Sequence, residues 1–143
     1  DVEVDSTGAV LIVDTGRNCI RKVVGSTFSF VLGGGATTTC ASSGLATAVA
    51  LSAPEGIAID ASGRILVAEA TRRCVRAVTG ANYSQVALTG TNSSAGDNGP
   101  AVAATMRTPS GIVIAPDGDL LVSDRSTTSG SNKIRSIVGP WPL

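Results

Sequence analysis

The sequence contains no histidine, which removes the Ser-His-Asp triad, the Cys-His dyad and the commonest zinc ligand sets from consideration. Lysine is scarce as well. Lys22 and Lys133 stand beside nine arginines, and the 11 cations are balanced by 11 anions with no basic run that could track a phosphate backbone. Binding to nucleic acid is therefore not expected, nor is electrostatic docking on a membrane. Apolar runs such as Ile65–Ala68 are far too short to cross a bilayer. The first residues do not open a charged-then-apolar signal segment, so either a targeting peptide has been removed or the chain begins inside a larger protein. Aromatic residues make up only 3% of a chain that is 43% apolar and carries 17 glycines. Its core must be built from small and branched aliphatic side chains, which favours short packed strands over long helices.

What the sequence does have is a repeat. Gly8, Gly63 and Gly118 fall 55 residues apart, and so do Asp14, Glu69 and Asp124. The same interval separates Arg21 from Arg76, Pro54 from Pro109, Gly56 from Gly111 and Gly35 from Gly90. Arg135 arrives four residues late, and the surplus sits in the Ser/Thr/Gly-rich stretch Ser126–Ser131, where an insertion lengthens a turn without disturbing a strand. The 143 residues thus hold three copies of one unit.

Each unit reads as four strands. In the middle copy, Gly56–Asp60, Arg64–Glu69, Val75–Val78 and Tyr83–Leu88 are short apolar-rich runs bounded by Gly, Asn, Asp or Ser clusters. That pattern predicts an up-and-down antiparallel sheet. Helical periodicity is missing over any useful length. One small sheet cannot bury both of its faces, so consecutive sheets must pack on one another, and radial packing of four-stranded sheets gives a β-propeller. The expected fold is all-β, a partial ring of about three four-stranded antiparallel blades. Blade 1 is placed at about 1–33, a crossing at 34–54 and blade 2 at about 55–90. A second crossing covers 91–109, blade 3 about 110–139 without its outer strand, and 140–143 form a tail. By the same arithmetic the first inner strand begins before residue 1.

The run Pro54-Glu55-Gly56-Ile57-Ala58-Ile59-Asp60-Ala61-Ser62-Gly63-Arg64-Ile65-Leu66-Val67-Ala68-Glu69, followed by Cys74-Val75-Arg76, resembles the NHL repeat. Asp14 to Val23 resembles the second half of that motif, and Gly96-Asp97-Asn98-Gly99-Pro100-Ala101 is similar to a crossing loop of its long-period members. Asn18 and Arg73 stand where the name-giving His of the family often sits. The resemblance covers nearly the whole chain and implies a propeller that closes with about six blades, of which roughly half are here. An isolated half exposes apolar flanks and strand edges, both of which promote association. The partner is then protein, either further blades of the same parent or another copy.

Asp14, Glu69 and Asp124 end the second strand of each unit, where they could converge on a channel to hold a cation. The plainer expectation is that each accepts hydrogen bonds from its own turn and faces the arginine that follows on the third strand: Arg21, Arg76 or Arg135. The recurrence of one acid and one arginine in every blade favours this structural role, so no catalytic residue, metal or cofactor is expected. Asp97-Asn98-Gly99 lacks the alternating acids of a calcium loop and reads as a turn within the crossing.

Cys19 and Cys74 are equivalent, whereas Cys40 lies in the first crossing. Copy two has Ala95 at the Cys40 position, and copy three has Lys133 at the Cys74 position. Both partners vanish together if crossing pairs with next blade, which points to a Cys40–Cys74 disulfide. Three reduced thiols remain the alternative. Asn82-Tyr83-Ser84 and Asn92-Ser93-Ser94 are glycosylation sequons at Asn82 and Asn92. With the cysteines they point to an extracellular or cell-surface glycoprotein. The function expected is a non-catalytic scaffold for protein contacts, with glycan binding, homo-oligomers and an extracellular matrix or fibre left open. Trp141 is a candidate anchor for such a contact. The alternative is a propeller enzyme of lactonase or lyase type whose metal site lies in blades not present here.

Overall fold

The computed structural model describes residues 1–36, 43–125 and 132–138. Three antiparallel sheets follow one another along the chain. The first contains β1 (Val2–Val4), β2 (Val10–Asp14), β3 (Cys19–Val24) and β4 (Thr27–Gly33), in chain order. The second contains β5 (Gly44–Leu45), β6 (Pro54–Ile59), β7 (Ile65–Glu69), β8 (Cys74–Thr79) and β9 (Asn82–Ala87), ordered β5-β9-β8-β7-β6. The third contains β10 (Pro109–Ile114), β11 (Leu120–Asp124) and β12 (Lys133–Ile137). The remaining regular structure among the described residues is three short 3-10 turns, at Thr15–Arg17, Ala46–Ala48 and Ala101–Ala103, and no helix among them is long and apolar enough to cross a membrane.

The chain is all-β with the stacked-blade arrangement of a propeller. The repeat explains why. Each first-to-second turn needs a left-handed residue, and Gly8, Gly63 and Gly118 supply it with φ of 83°, 81° and 92°. No atom crowds these positions, so conformation alone selects glycine there. Asp5 and Asp60 close the first two turns with their side chains, accepting from the amides of Thr7 and Ser62 at 2.9 Å each.

Alternate residues of each strand face the two neighbouring blades. In blade 2, Ile57, Val67 and Val78 pack with Leu11, Val13, Ile20 and Leu32 of blade 1. On its other face Ala58, Leu66 and Val75 pack with Ile112, Leu120 and Val122 of blade 3. The inner strands β6 and β10 come so close that a Cβ on Gly56 would lie 2.2 Å from the Ser110 carbonyl oxygen; a side chain at that position would force the blades apart.

Blade 2 departs from the expected four strands. The crossing from blade 1 contributes β5, which pairs Gly44 with Tyr83 and Leu45 with Asn82 along the outer edge of β9. The crossing therefore serves as a fifth strand and not merely as a link, because its extended backbone covers an edge that would otherwise be bare. In blade 1, β1 holds with three residues the place that β6 and β10 hold with six each.

One face of blade 1 has no blade against it among the described residues. Val2, Ile12, Arg21 and Phe30 are direct cross-strand neighbours, as are Val4, Val10, Val23 and Phe28. The equivalent rows, Ile57-Val67-Arg76-Gln85 and Ile59-Ile65-Val78-Tyr83, face the preceding blade in blade 2. Tyr83 is 4% exposed and Phe28, its equivalent, 61%.

Candidate functional site

The recurring acids stand at the ends of β2, β7 and β11, next to the points where crossings enter the inner strands. Glu69 is fully buried and its carboxylate is fully engaged. Arg76 Nε donates to Oε1, Arg72 Nε donates to Oε2 at 3.2 Å, and the amide of Ser52 donates to Oε2 at 2.8 Å. The Cys74 Sγ lies 3.5 Å from Oε1, and Arg76 carries its guanidinium 4.9 Å from the centre of the Tyr83 ring. Asp14 makes the same construction in a more open setting. It accepts from the Arg17 amide at 3.1 Å and pairs with Arg21 Nε at 3.3 Å, while Arg21 lies 5.3 Å from the centre of Phe30. Asp124 accepts from the amides of Arg107 and Thr108, at 3.0 and 2.9 Å.

Two of these partners were not expected. Ser52 and Arg107 are equivalent positions at the end of each crossing, and their amides are held by the acid of the blade that the crossing enters. The acid thus fastens the incoming chain to the second strand as well as facing an arginine. The constant interval from Pro54 to Glu69 and from Pro109 to Asp124 was the available signal. Arg135 departs from the expected pairing with Asp124. It donates instead to the crossing, to the Thr105 carbonyl at 2.6 Å, the Ala95 carbonyl at 3.1 Å and Asp97 Oδ1 at 2.5 Å. Asp97 lies in a turn closed by Gly99 N donating to the Gly96 carbonyl at 3.3 Å.

Asn18 and Arg73 have left-handed backbones, with φ of 53° and 59°, and each reaches the end of the crossing that enters the next blade. Asn18 Oδ1 accepts from the Ala53 amide at 2.7 Å, and Arg73 Nε donates to the Arg107 carbonyl at 3.1 Å. Asparagine tolerates this conformation well and arginine less so. These side chains act as latches between consecutive blades.

Two of the first-turn acids titrate below their ordinary value. A hydrogen bond from Lys22 Nζ, 2.6 Å from Asp5 Oδ2, together with the Thr7 hydroxyl, holds the Asp5 carboxyl far below the usual carboxylate range. Burial acts in the opposite direction at Asp60, yet hydrogen bonds from Ser62 and Arg64 keep its carboxyl below its usual value.

Cys19 and Cys74 are buried. Cys40 and Trp141 lie outside the described residues, so the expected Cys40–Cys74 bond and the Trp141 contact do too. Asn82 begins β9 with an exposed side chain, and Asn92 is exposed on the second crossing. Among the described residues no three Cys, Asp or Glu side chains gather where they could hold a metal ion.

No protein-family model matches the sequence, and no curated protein matches it. Solved structures do. A protein of unknown function from Bacteroides thetaiotaomicron aligns with a TM-score of 0.74 at 18% identity, covering 91% of this chain and 32% of that one. Virginiamycin B lyase from Staphylococcus aureus aligns with a TM-score of 0.58 at 17% identity, covering 97% of this chain and 40% of that one. For a gluconolactonase from Xanthomonas campestris the TM-score is 0.56 at 16% identity, with coverage of 82% and 31%. The chain spans 31–40% of the length of these three proteins. What it shares with them is the β-propeller fold, which here carries enzymes and a protein of unknown function alike.

Proposed function

We propose that this chain is an NHL-type segment of a propeller that serves as a non-catalytic scaffold for protein contacts in a secreted or cell-surface glycoprotein. The observation that carries the reading is the open flank of blade 1. Val2, Val4, Phe28 and Phe30 are each more than half exposed on one continuous face, and the equivalent rows are buried against a preceding blade in blades 2 and 3. A contiguous apolar face of this kind marks a contact surface. Its chemistry fits another blade, from the same parent or from a second copy. The recurring acids support the same reading, since Glu69 spends its oxygens on two arginines and a backbone amide and Asp124 on backbone amides, and each fastens the arriving crossing to its blade. The exposed sequons at Asn82 and Asn92 support the extracellular setting.

The competing reading, a lactonase or lyase, draws on the likeness to the gluconolactonase and virginiamycin B lyase structures. Intact mass of the native protein, before and after deglycosylation and reduction, together with metal analysis, separates the two. Glycan mass and a disulfide support the scaffold. A stoichiometric transition metal or calcium supports the enzyme, and an unglycosylated, fully reduced 14.2 kDa species removes the extracellular argument.

A further inference from the structure

Of the five asparagines in the chain, Asn98 alone is followed by glycine. It stands at the third place of a tight turn on the second crossing, with φ of 64°, and the turn is closed by Gly99 N donating to the Gly96 carbonyl at 3.3 Å. That distance lies beyond the 2.7–3.2 Å usual for such a bond. Asn98 and Gly99 are both exposed, and a Cβ built on Gly99 would meet only the Gly96 carbonyl oxygen, at 3.5 Å. The Gly99 amide is thus weakly held and uncrowded. The other asparagines are placed differently. Asn18 is tied through its own Oδ1 to the Ala53 amide at 2.7 Å, and Asn82 is followed by the buried Tyr83 in β9. Asn92 is followed by Ser93, whose amide donates to the Thr91 carbonyl at 2.9 Å, and Asn132 by Lys133, the first residue of β12. The turn at Asn98 also has a task. A Cβ on Gly96 would lie 2.8 Å from Ala104 Cα, so its first residue is pinned, while Asp97 pairs with Arg135 at 2.5 Å and lies 3.8 Å from Lys133 Nζ. Through this turn the second crossing is fastened to β12.

We propose that Asn98 is a site of spontaneous modification in the folded protein, deamidating through a cyclic imide and so altering the fastening of the second crossing to β12. The Gly99 nitrogen gives its proton to water or hydroxide and attacks the side-chain carbonyl carbon of Asn98. The new C–N bond closes a five-membered succinimide, and the former side-chain nitrogen leaves as ammonia with a proton taken from solvent. Water then opens the imide at either carbonyl, leaving aspartate or isoaspartate at position 98. Glycine favours ring closure because no Cβ obstructs its nitrogen and its backbone adopts conformations closed to other residues. The aspartate product adds a second carboxylate beside Asp97, close to Lys133 and Arg135. The isoaspartate product carries the main chain through the side chain, one atom longer, and so loses the Gly99–Gly96 bond in its present form. With Gly96 pinned against Ala104, the change falls on Asp97 and its pair with Arg135. This chemistry is the same for a scaffold and for an enzyme.

The test is incubation of the full chain in mildly alkaline buffer, folded or in urea, followed by digestion and mass spectrometry for the one-dalton gain of deamidation. Gly99→Ala is the comparison, because Gly99 does not have a left-handed backbone and a methyl there makes only ordinary contact; circular dichroism checks that it folds. In the folded chain Asn98 is expected to convert ahead of Asn18, Asn82, Asn92 and Asn132. Gly99→Ala should slow that conversion about tenfold or more, a barrier higher by about 1.4 kcal/mol. Hydrogen exchange of the converted protein should quicken at residues 95–99 and 135. An Asn98 that stays intact when folded and converts only in urea overturns the proposal, since the fold then protects it. So does earlier conversion of another asparagine, an equal rate in Gly99→Ala, or exchange around the turn that conversion leaves unchanged.

Discussion

Truncating Arg76 and truncating Arg21 remove the same atoms from the same motif in two settings, and the structure predicts unequal costs. Arg76 and Glu69 are both 0% exposed, sandwiched between blades 1 and 2, while the side chains of Arg21 and Asp14 are 27% and 20% exposed on the uncovered flank. Arg76→Ala leaves the buried Glu69 carboxylate with only Arg72 and the Ser52 amide, both on Oε2, a loss of about 3 kcal/mol, at the low end for a broken buried pair. It also strips the cation from the Tyr83 ring, about 0.5–2 kcal/mol more. Arg21→Ala exposes Asp14 to water that can solvate it, which limits the loss to about 0–1 kcal/mol. Because a domain is stable by only about 5–15 kcal/mol, Arg76→Ala consumes much of the margin. The double variant Glu69→Gln/Arg76→Met serves as a control, since it removes both charges and keeps most of the volume. It should recover a large part of the loss.

The assay is urea denaturation followed by far-ultraviolet circular dichroism. With a slope of about 1–3 kcal/mol/M, Arg76→Ala should lower the midpoint by more than about 1 M, and Arg21→Ala, at the same slope, by about a third of that shift or less. Equal shifts would refute the reasoning, for they would mean that exposure of the flank does not govern the strength of the pair. They would arise if another blade covers Asp14 and Arg21 in solution.

Other consequences follow from single contacts. Gly56→Ala places a methyl 2.2 Å from the Ser110 carbonyl oxygen and should cost about 1–3 kcal/mol, read as a lower melting temperature; Gly63→Ala, strained in φ but free of crowding, separates the steric effect from the conformational one. Asn18→Ala removes the acceptor for the Ala53 amide and the residue type best suited to its left-handed backbone, a loss of about 1–2 kcal/mol in the same melt. Asp5 is held well below 3.8 when folded, so the unfolded chain takes up its proton first and stability present above about pH 4 falls away as the pH drops further. Asp5→Asn should therefore lower stability at neutral pH and flatten its decline in acid, followed by circular dichroism from pH 7 to about pH 2; an unchanged slope would remove Asp5 from the account.

The parts of the fold that were legible in the sequence are those fixed by short-range chemistry. The short apolar-rich runs Gly56–Asp60 and Arg64–Glu69, and a glycine at each first-to-second turn, specify hairpins whose register depends on nearby residues alone. Features that depend on how one blade meets the next were harder to read. Gly44–Leu45 became β5 because the outer edge of β9 lay beside it, and nothing in those two residues announces a strand. The destination of Arg135 was hidden for a similar reason. Equivalence predicted an acid at the end of the second strand, but the crossing offered two carbonyls and Asp97 within reach. Asp14, Glu69 and Asp124 were legible as a set, and their capping of crossing amides was not, since it joins residues about 16 apart that the fold brings together.

The recurrence of one motif in three blades also bears on what the chain can do. A side chain recruited for chemistry needs surroundings unlike those of its counterparts, because catalysis relies on a specific perturbation at one place. Glu69 and Asp124 share a position and one task, each ending the second strand of its blade and holding amides of the arriving crossing, though Glu69 also pairs with Arg72 and Arg76 while Arg135 turns away from Asp124 to the crossing. Asp14 and Glu69 share the arginine of the third strand and differ in coverage, because a blade packs over Glu69 and Arg76 while Asp14 and Arg21 stand on the open flank.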